Sequence, residues 1–273
     1  RTTVSSEPDE EGNLPVRVDV KERARRTFRA GVSYYTDAGF GGQAGWENRN
    51  LFGHAEKVGL TLLASEILYE AKVGFSRPDL FSRDLDLHVE ECVGDEHPDA
   101  YQSRKWRSSL WLEKRLWDQL TLKGGVAYEF DRVEENGEYS RFGLGSLPLS
   151  AGLDLRDDPM DPFRGTSFFL STTPYLDTAT DLTFLKSVGE ASVYVPLSRL
   201  PRMVLASRLA LGTITGDEAA NVPADKRFYA GGGGTIRGYK YQSVGERVDG
   251  EPVGGKSMAT VSAEWRVQVT PKI

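Results

Sequence analysis

The chain has 273 residues, 39% hydrophobic and 27% charged, with a formal net charge of −6 and a mean hydropathy of −0.43. The longest apolar runs are only a few residues, which excludes a membrane-spanning helix of about 20 consecutive apolar residues, and 34 Lys+Arg against 40 Asp+Glu leave no basic excess for a nucleic-acid-binding surface. The single cysteine, Cys92, excludes a disulfide framework and a thiolate metal cluster. Taken alone the averages describe a soluble, mildly acidic globule, but the order of the residues does not.

The first residue is Arg1 and no apolar signal segment follows it, so the start reads as processed or truncated. Arg1–Asn13 is acidic and turn-like. Leu14–Glu22 then alternates strongly with no partner strand nearby, and reads as the end of a preceding domain joined by a linker to the rest.

From Thr27 onward apolar and polar residues alternate with period two, the mark of strands with one apolar face. In the clearest case Leu120, Leu122, Gly124, Val126, Tyr128 and Phe130 share one face, opposite Thr121, Lys123, Gly125, Ala127, Glu129 and Asp131. A second runs from Ala259 through Trp265 to Val269, with Glu264 and Arg266 on its polar side; near the start, Phe28, Ala30, Val32 and Tyr34 repeat the theme. The pattern predicts about twelve strands, beginning near Thr27, Phe40, Glu56, Tyr69, Asp84, Ser103, Asp118, Leu147, Thr166, Phe184, Arg202 and Lys256, most of them close to the 9–11 residues that cross a bilayer when tilted. No window has a helical period.

An all-β chain of this size is a soluble sandwich or solenoid, or a transmembrane antiparallel β-barrel. Three features favour the barrel. The strands are long and even, short turns such as Phe52–His54 alternate with polar loops expected at Val93–Gln102, Arg132–Glu138 and Gly216–Arg227, and the apolar faces of the best strands are free of charge. A Lys or Arg at mid-membrane on such a face costs about 2–4 kcal/mol, whereas a solvated sheet tolerates it. Aromatics at strand ends (Tyr34, Trp106, Trp117, Tyr128) suit interfacial girdles.

Four motifs remain. Gly250–Ser257 has the letters of a phosphate-binding loop, but a strand pattern follows it where a helix N-terminus is needed, so nucleotide binding is rejected. Asp154–Gly165 lacks EF-hand spacing and reads as a Pro/Asp tight turn. Glu90–Asp99, with Cys92 and His97, reads as a solvated acidic loop. Gly231–Gly234, followed by Ile236, Arg237, Gly238 and Tyr239 and framed by Phe228, Tyr229 and Tyr241, is the most unusual stretch. Aromatics around glycines suggest a loop that packs, with Arg237 buried, and a buried arginine requires an acid. Glu264 on the next strand is available. No catalytic elbow or zinc motif is present and the three histidines (His54, His88, His97) are spread out, so no enzyme, metal site or cofactor is expected.

The stretch Phe228–Gly231, Ile236-Arg237-Gly238-Tyr239, Gly254–Ala259 and Glu264 resembles the motif loop and following strand of the BamA/TamA superfamily of outer-membrane assembly proteins, with wording closest to its TamA members. Arg156–Gly165 resembles the family's turn into its ninth strand, and Pro15–Lys21, Gly31–Asp37 and Asn48–Gly53 its passage from the last POTRA domain into the barrel. The resemblance implies residues 1–26 as the end of a POTRA domain and 27–273 as a barrel with about 12 of an expected 16 strands, the chain being a fragment at both ends. It further implies a Gram-negative outer-membrane location with the POTRA side in the periplasm, and assistance to client β-barrel proteins such as autotransporters alongside a TamB-like inner-membrane-anchored partner and outer-membrane lipid. Phe28, Ala30, Gly31, Val32 and Tyr34 would form a lateral-gate first strand. Ile236–Tyr239 would form the functional loop motif, with Glu264 as the luminal partner of Arg237. A BamA-like general insertase, a two-partner secretion transporter, a passive porin and a soluble β-rich binding protein stay open as alternatives.

Overall fold

The computed structural model describes residues 2–4, 12, 16–18, 24–35 and 39–270. Near the start, β1 (Thr2–Val4) pairs antiparallel with β2 (Val16–Val18). The segment expected to lack a partner therefore has one, supplied by residues only a dozen positions upstream. Most of the expected POTRA remnant at 1–26 lies outside the described residues.

The rest is one antiparallel sheet built as a meander. Its strands are β3 (Arg26–Tyr35), β4 (Gly39–Arg49), β5 (Lys57–Ser65), β6 (Leu68–Arg77), β7 (Leu85–Glu96), β8 (Gln102–Arg115), β9 (Leu120–Glu135), β10 (Glu138–Ser146), β11 (Leu149–Asp154), β12 (Gly165–Asp177), β13 (Thr183–Arg199), β14 (Arg202–Gly216) and β17 (Ser257–Val267). Two short strands, β15 (Arg247–Val248) and β16 (Glu251–Pro252), form a separate ribbon between β14 and β17. Each strand of the large sheet pairs with its chain neighbours, from β3 at one edge to β17 at the other. β10 and β11 share one position, both pairing β9 and β12, with a break at Leu147-Pro148 where Pro148 has no N–H to give. The expected twelve strands are thus twelve sheet positions.

Two expected loops prove to be strand. Arg132–Glu135 continues β9 and turns at Asn136-Gly137, both at positive φ, directly into β10. That pair of residues is the favoured hairpin connection, and the neighbouring charges obscure it. The expected acidic loop likewise places Glu90, Glu91 and Cys92 within β7. The turn at 155–164 is as read: Asp157 Oδ1 accepts backbone N–H groups from Asp158, Phe163 and Arg164. These bonds, that from Arg164 foremost, hold the Asp157 carboxyl below its usual range against a smaller opposing effect of burial.

The distribution of polarity is inverted relative to a soluble sheet. On β9 the outward Val126, Tyr128 and Phe130 are exposed, while Ala127, Glu129, Asp131 and Val133 on the other face are buried. The accessible surface is 17982 Å², against about 11,700 Å² for a compact soluble monomer of this mass. This is a curved wall with an apolar exterior and a polar interior, and its exterior requires lipid. Glu91 is an outward acid within that exterior. Glu91 lies in register with Val73 and Ser108, and its oxygens accept the Trp106 indole N–H at 3.0 Å and the Ser108 hydroxyl at 2.6 Å. The wall predicts its own test: Val126→Arg is expected to lower unfolding stability in lipid by about 2–4 kcal/mol, read as a shifted urea midpoint. An unshifted midpoint would remove lipid from that face.

Candidate functional site

The 217–256 loop leaves the top of β14, folds back over the inner wall and returns as β17. Its base is a one-turn 3-10 helix, Ala224–Lys226, seated on apolar ground. Val222 is fully buried among Leu144, Leu182, Phe184 and Ile214, and Ala224 packs with Ala100, Tyr101 and Val133. These residues are the core of the molecule, and it lies inside the wall's concave face, where a loop meets strands.

The charged triplet Asp225-Lys226-Arg227 fixes this base. The Lys226 ammonium donates to Glu129 of β9 and to Asp225, and all three residues are almost wholly buried. Asp131, fully buried one pleat away, accepts the Ser103 hydroxyl at 2.8 Å. Burial works against charge on Asp225, but the ammonium groups of Lys226 and Lys105 outweigh it and hold the carboxyl below its usual range. Burial likewise opposes charge on Lys226, yet Asp225, Glu129 and Asp131 push its pKa up. Oxygens of Glu129, Asp131 and Asp225 lie within 4.8 Å of one another, the donor chemistry of a cation site. The cation the protein provides there is Lys226.

Arg227 ties the two limbs of the loop together. Its guanidinium donates to both oxygens of Glu135 at 2.6 and 2.9 Å, to the carbonyls of Val222 and Ala220 on the incoming limb, and to that of Val253 on the outgoing limb. Just beyond it, Phe228 and Gly255 exchange two backbone hydrogen bonds, and the Phe228 ring lies where a Cβ on Gly212 of β14 would be. Lys186 of β13 donates to the Lys226 carbonyl at 2.7 Å and sits over the Phe228 ring.

The glycine run and the tetrapeptide form the tip. Gly231 adopts φ +115 and Gly232 φ +86. The Gly231 N–H donates to Thr235 Oγ1 at 2.8 Å and the Gly232 N–H to the Tyr239 carbonyl at 3.0 Å. The expected pairing is present: Arg237 Nη1 lies 2.8 Å from Glu264 Oε1 on the inner face of β17, and Glu264 also holds Arg266 at 3.0 Å. Arg237 is nevertheless not buried. Its side chain is 79% exposed, because β17 is the sheet's last described strand and walls it on one side only. Tyr239 is also exposed, and Ile236 and Gly238 lie beside Arg237 at the tip. An ion pair this open adds at most about 1 kcal/mol, so the anchoring lies at the base.

The proposed gate strand is β3, at the opposite edge from β17. Phe28, Ala30, Val32 and Tyr34 face outward and are exposed, while Gly31 faces inward against Gln43. The structure brings Ile236–Tyr239 to Glu264 but not to β3. Asp225, Lys226 and Arg227 carry no signal of their own in the sequence, since a charged triplet there reads as solvated loop.

An antiparallel wall, apolar outside and polar inside, whose longest loop folds back and is ion-paired to the inner face, defines a transmembrane β-barrel with a loop-filled lumen. Residues 50–272 match the Omp85 superfamily domain, and the chain belongs to that superfamily. It is 26% identical over 269 residues to the outer membrane protein assembly factor BamA of Nitratidesulfovibrio vulgaris, covering 93% of this chain and 34% of that protein. It is 26% identical over 268 residues to the sorting and assembly machinery component 50 homolog of Mus musculus, covering 90% and 55%. The fold matches the crystal structure of BamA from Haemophilus ducreyi lacking POTRA domains 1–3, with a TM-score of 0.81 and 19% identity over 97% of this chain and 57% of that one. The chain therefore spans between about a third and just over half the length of these relatives.

Proposed function

We propose that this protein helps insert β-barrel proteins into the outer membrane, with its POTRA side in the periplasm, by offering the edge of β3 to an incoming client strand. The observation that carries this reading is β3 itself. Among the described residues it pairs along one side only, with β4, and the two strands together hold Gly31, Gly39, Gly41, Gly42 and Gly45. An edge strand presents a row of free backbone N–H and C=O groups, and glycine weakens the pairing that would occupy them. Adding a client strand there is β-augmentation and needs neither reaction chemistry nor a cofactor. The names of the BamA and sorting-and-assembly relatives support the same activity.

Within that activity we infer a TamA-like role, serving clients such as autotransporters with a TamB-like inner-membrane-anchored partner, on the wording of the 228–239 and 156–165 segments. The test is site-specific crosslinking in proteoliposomes from Ser33 of β3 to a barrel client carrying a cysteine in its last strand. The expected result is a client-dependent crosslink, with insertion reduced severalfold by Arg237→Ala. Insertion at the unmodified rate without any β3 crosslink would overturn the gate reading. Steady ion conductance instead of insertion would place the protein with passive porins, a function that a lumen filled by the 217–256 loop does not favour.

A further inference from the structure

The outer face carries a feature that client insertion does not use. At the end of the wall nearest the 217–256 loop, Arg104 of β8 lies directly across from Arg132 of β9, and Arg132 directly across from Arg141 of β10. All three are exposed and point outward, on the same face as Trp106 and Phe130. Like charges directly opposite one another on neighbouring strands destabilise a sheet. A row of three therefore calls for an anion.

The protein neutralises only one end of that row. Asp95 pairs with Arg104 at 3.0 Å. The Arg132 guanidinium stacks on the Tyr139 ring at 4.5 Å, which leaves its charge intact, and Glu134 stands two residues further along the same face. Arg141 has no ion-pair partner among the described residues. Directly beneath, on the membrane side, the apolar surface is concave. An open trough of about 1180 Å³ runs from Ala44, Leu62 and Ala71 to Val93, Trp106 and Phe130, with Arg104 and Arg132 at its rim. Small side chains on β4–β6 make the floor, and the aromatics of β8 and β9 make the bank.

Guanidinium groups bind phosphate in a planar, two-pronged geometry, while an apolar trough next to them suits acyl chains. We propose that this face binds a phosphorylated lipid of the leaflet on the long-loop side, its headgroup phosphate held between Arg132 and Arg141 and its chains lying in the trough. The charge complementarity places the headgroup there, because Arg104 is already satisfied by Asp95.

The test uses the full chain in phosphatidylcholine nanodiscs doped with diphosphorylated lipid A or with the same lipid dephosphorylated, the lipid retained being counted by native mass spectrometry. The unaltered protein is expected to retain the phosphorylated lipid about tenfold better than the dephosphorylated one, the size of a charge-assisted contact pair. The Arg132→Gln/Arg141→Gln variant is expected to lose that preference, whereas Arg208→Gln, a luminal change paired to Glu190, keeps it. Equal retention of the two lipids by the unaltered protein, a preference that survives the double change, or displacement of the lipid by inorganic phosphate at matched concentration would each overturn the proposal. The first comparison needs no variant, so a folding defect in the double change leaves the proposal testable.

Discussion

Lys226→Met is expected to undock the base of the 217–256 loop and to cost about 3–5 kcal/mol, the penalty for removing one partner of a buried ion pair. Methionine fills the same space but leaves Glu129, Asp131 and Asp225 facing one another without the ammonium they bind directly, Lys105 remaining the nearby cation. Carboxylates so close cannot all stay ionised in a buried setting, so the variant either takes up protons or opens. The sign with pH follows from Asp225. Its carboxyl is held below the ordinary range in the folded protein, so its stabilising contribution is present above about pH 4 and is lost as pH falls through the lower folded value. The variant, lacking the ammonium, is expected to gain more stability on mild acidification than the unaltered protein does. Urea midpoints at neutral pH and at pH 5 for both proteins check this. A Lys226→Met midpoint equal to that of the unaltered protein would mean that the loop base is held by its apolar contacts alone.

The second large effect is expected inside the glycine run, and it is position-specific. Gly231 has φ +115, and a Cβ there would press into the Lys240 carbonyl and lie 2.9 Å from the Ser243 nitrogen. Gly231→Ala is therefore expected to cost more than the roughly 1–3 kcal/mol of backbone strain alone and to displace the turn that carries Arg237. At Gly234, three residues on, an added Cβ would meet nothing within 4 Å, and the backbone needs no unusual φ. Gly234→Ala should be nearly silent. Limited proteolysis of the loop compares the two, and equal cleavage rates in both variants would show that the run acts as a tether with no built geometry.

Much of the wall can be read in the chain because a strand's period of two is local: Leu120–Asp131 states its two faces without reference to anything else. The number of sheet positions follows from the same signal. It fails where charge and structure disagree. Arg132–Glu135 and Glu90–Glu91 look like loop because they are polar, yet they belong to strands whose polar residues face a lumen or a membrane rim. The loop base is illegible for a different reason. The partners of Lys226 and Arg227 lie on β9, and no local pattern pairs a residue with another so far back in the chain. Arg237 and Glu264 are legible through a motif, and their pairing is present, but the burial expected of Arg237 rests on its neighbours' aromaticity. Those aromatics divide: Phe228 and Tyr229 pack at the base, whereas Tyr239 stands exposed at the tip.

The meander has a consequence for the order in which the molecule can be made. Each hairpin from β3 to β14 closes over a few residues, so the wall can grow by adding one neighbour at a time at small entropic cost. The loop base is the exception, since Lys226 meets Glu129 across 97 positions and Arg227 meets Glu135 across 92. Their acceptors stand together on β9, but the loop that reaches them leaves β14, and the apolar seat for Val222 does not exist before β10, β13 and β14 stand together. The loop is therefore a latch that can close only on a finished wall, and its closure reports that the strands beneath it have taken their correct places.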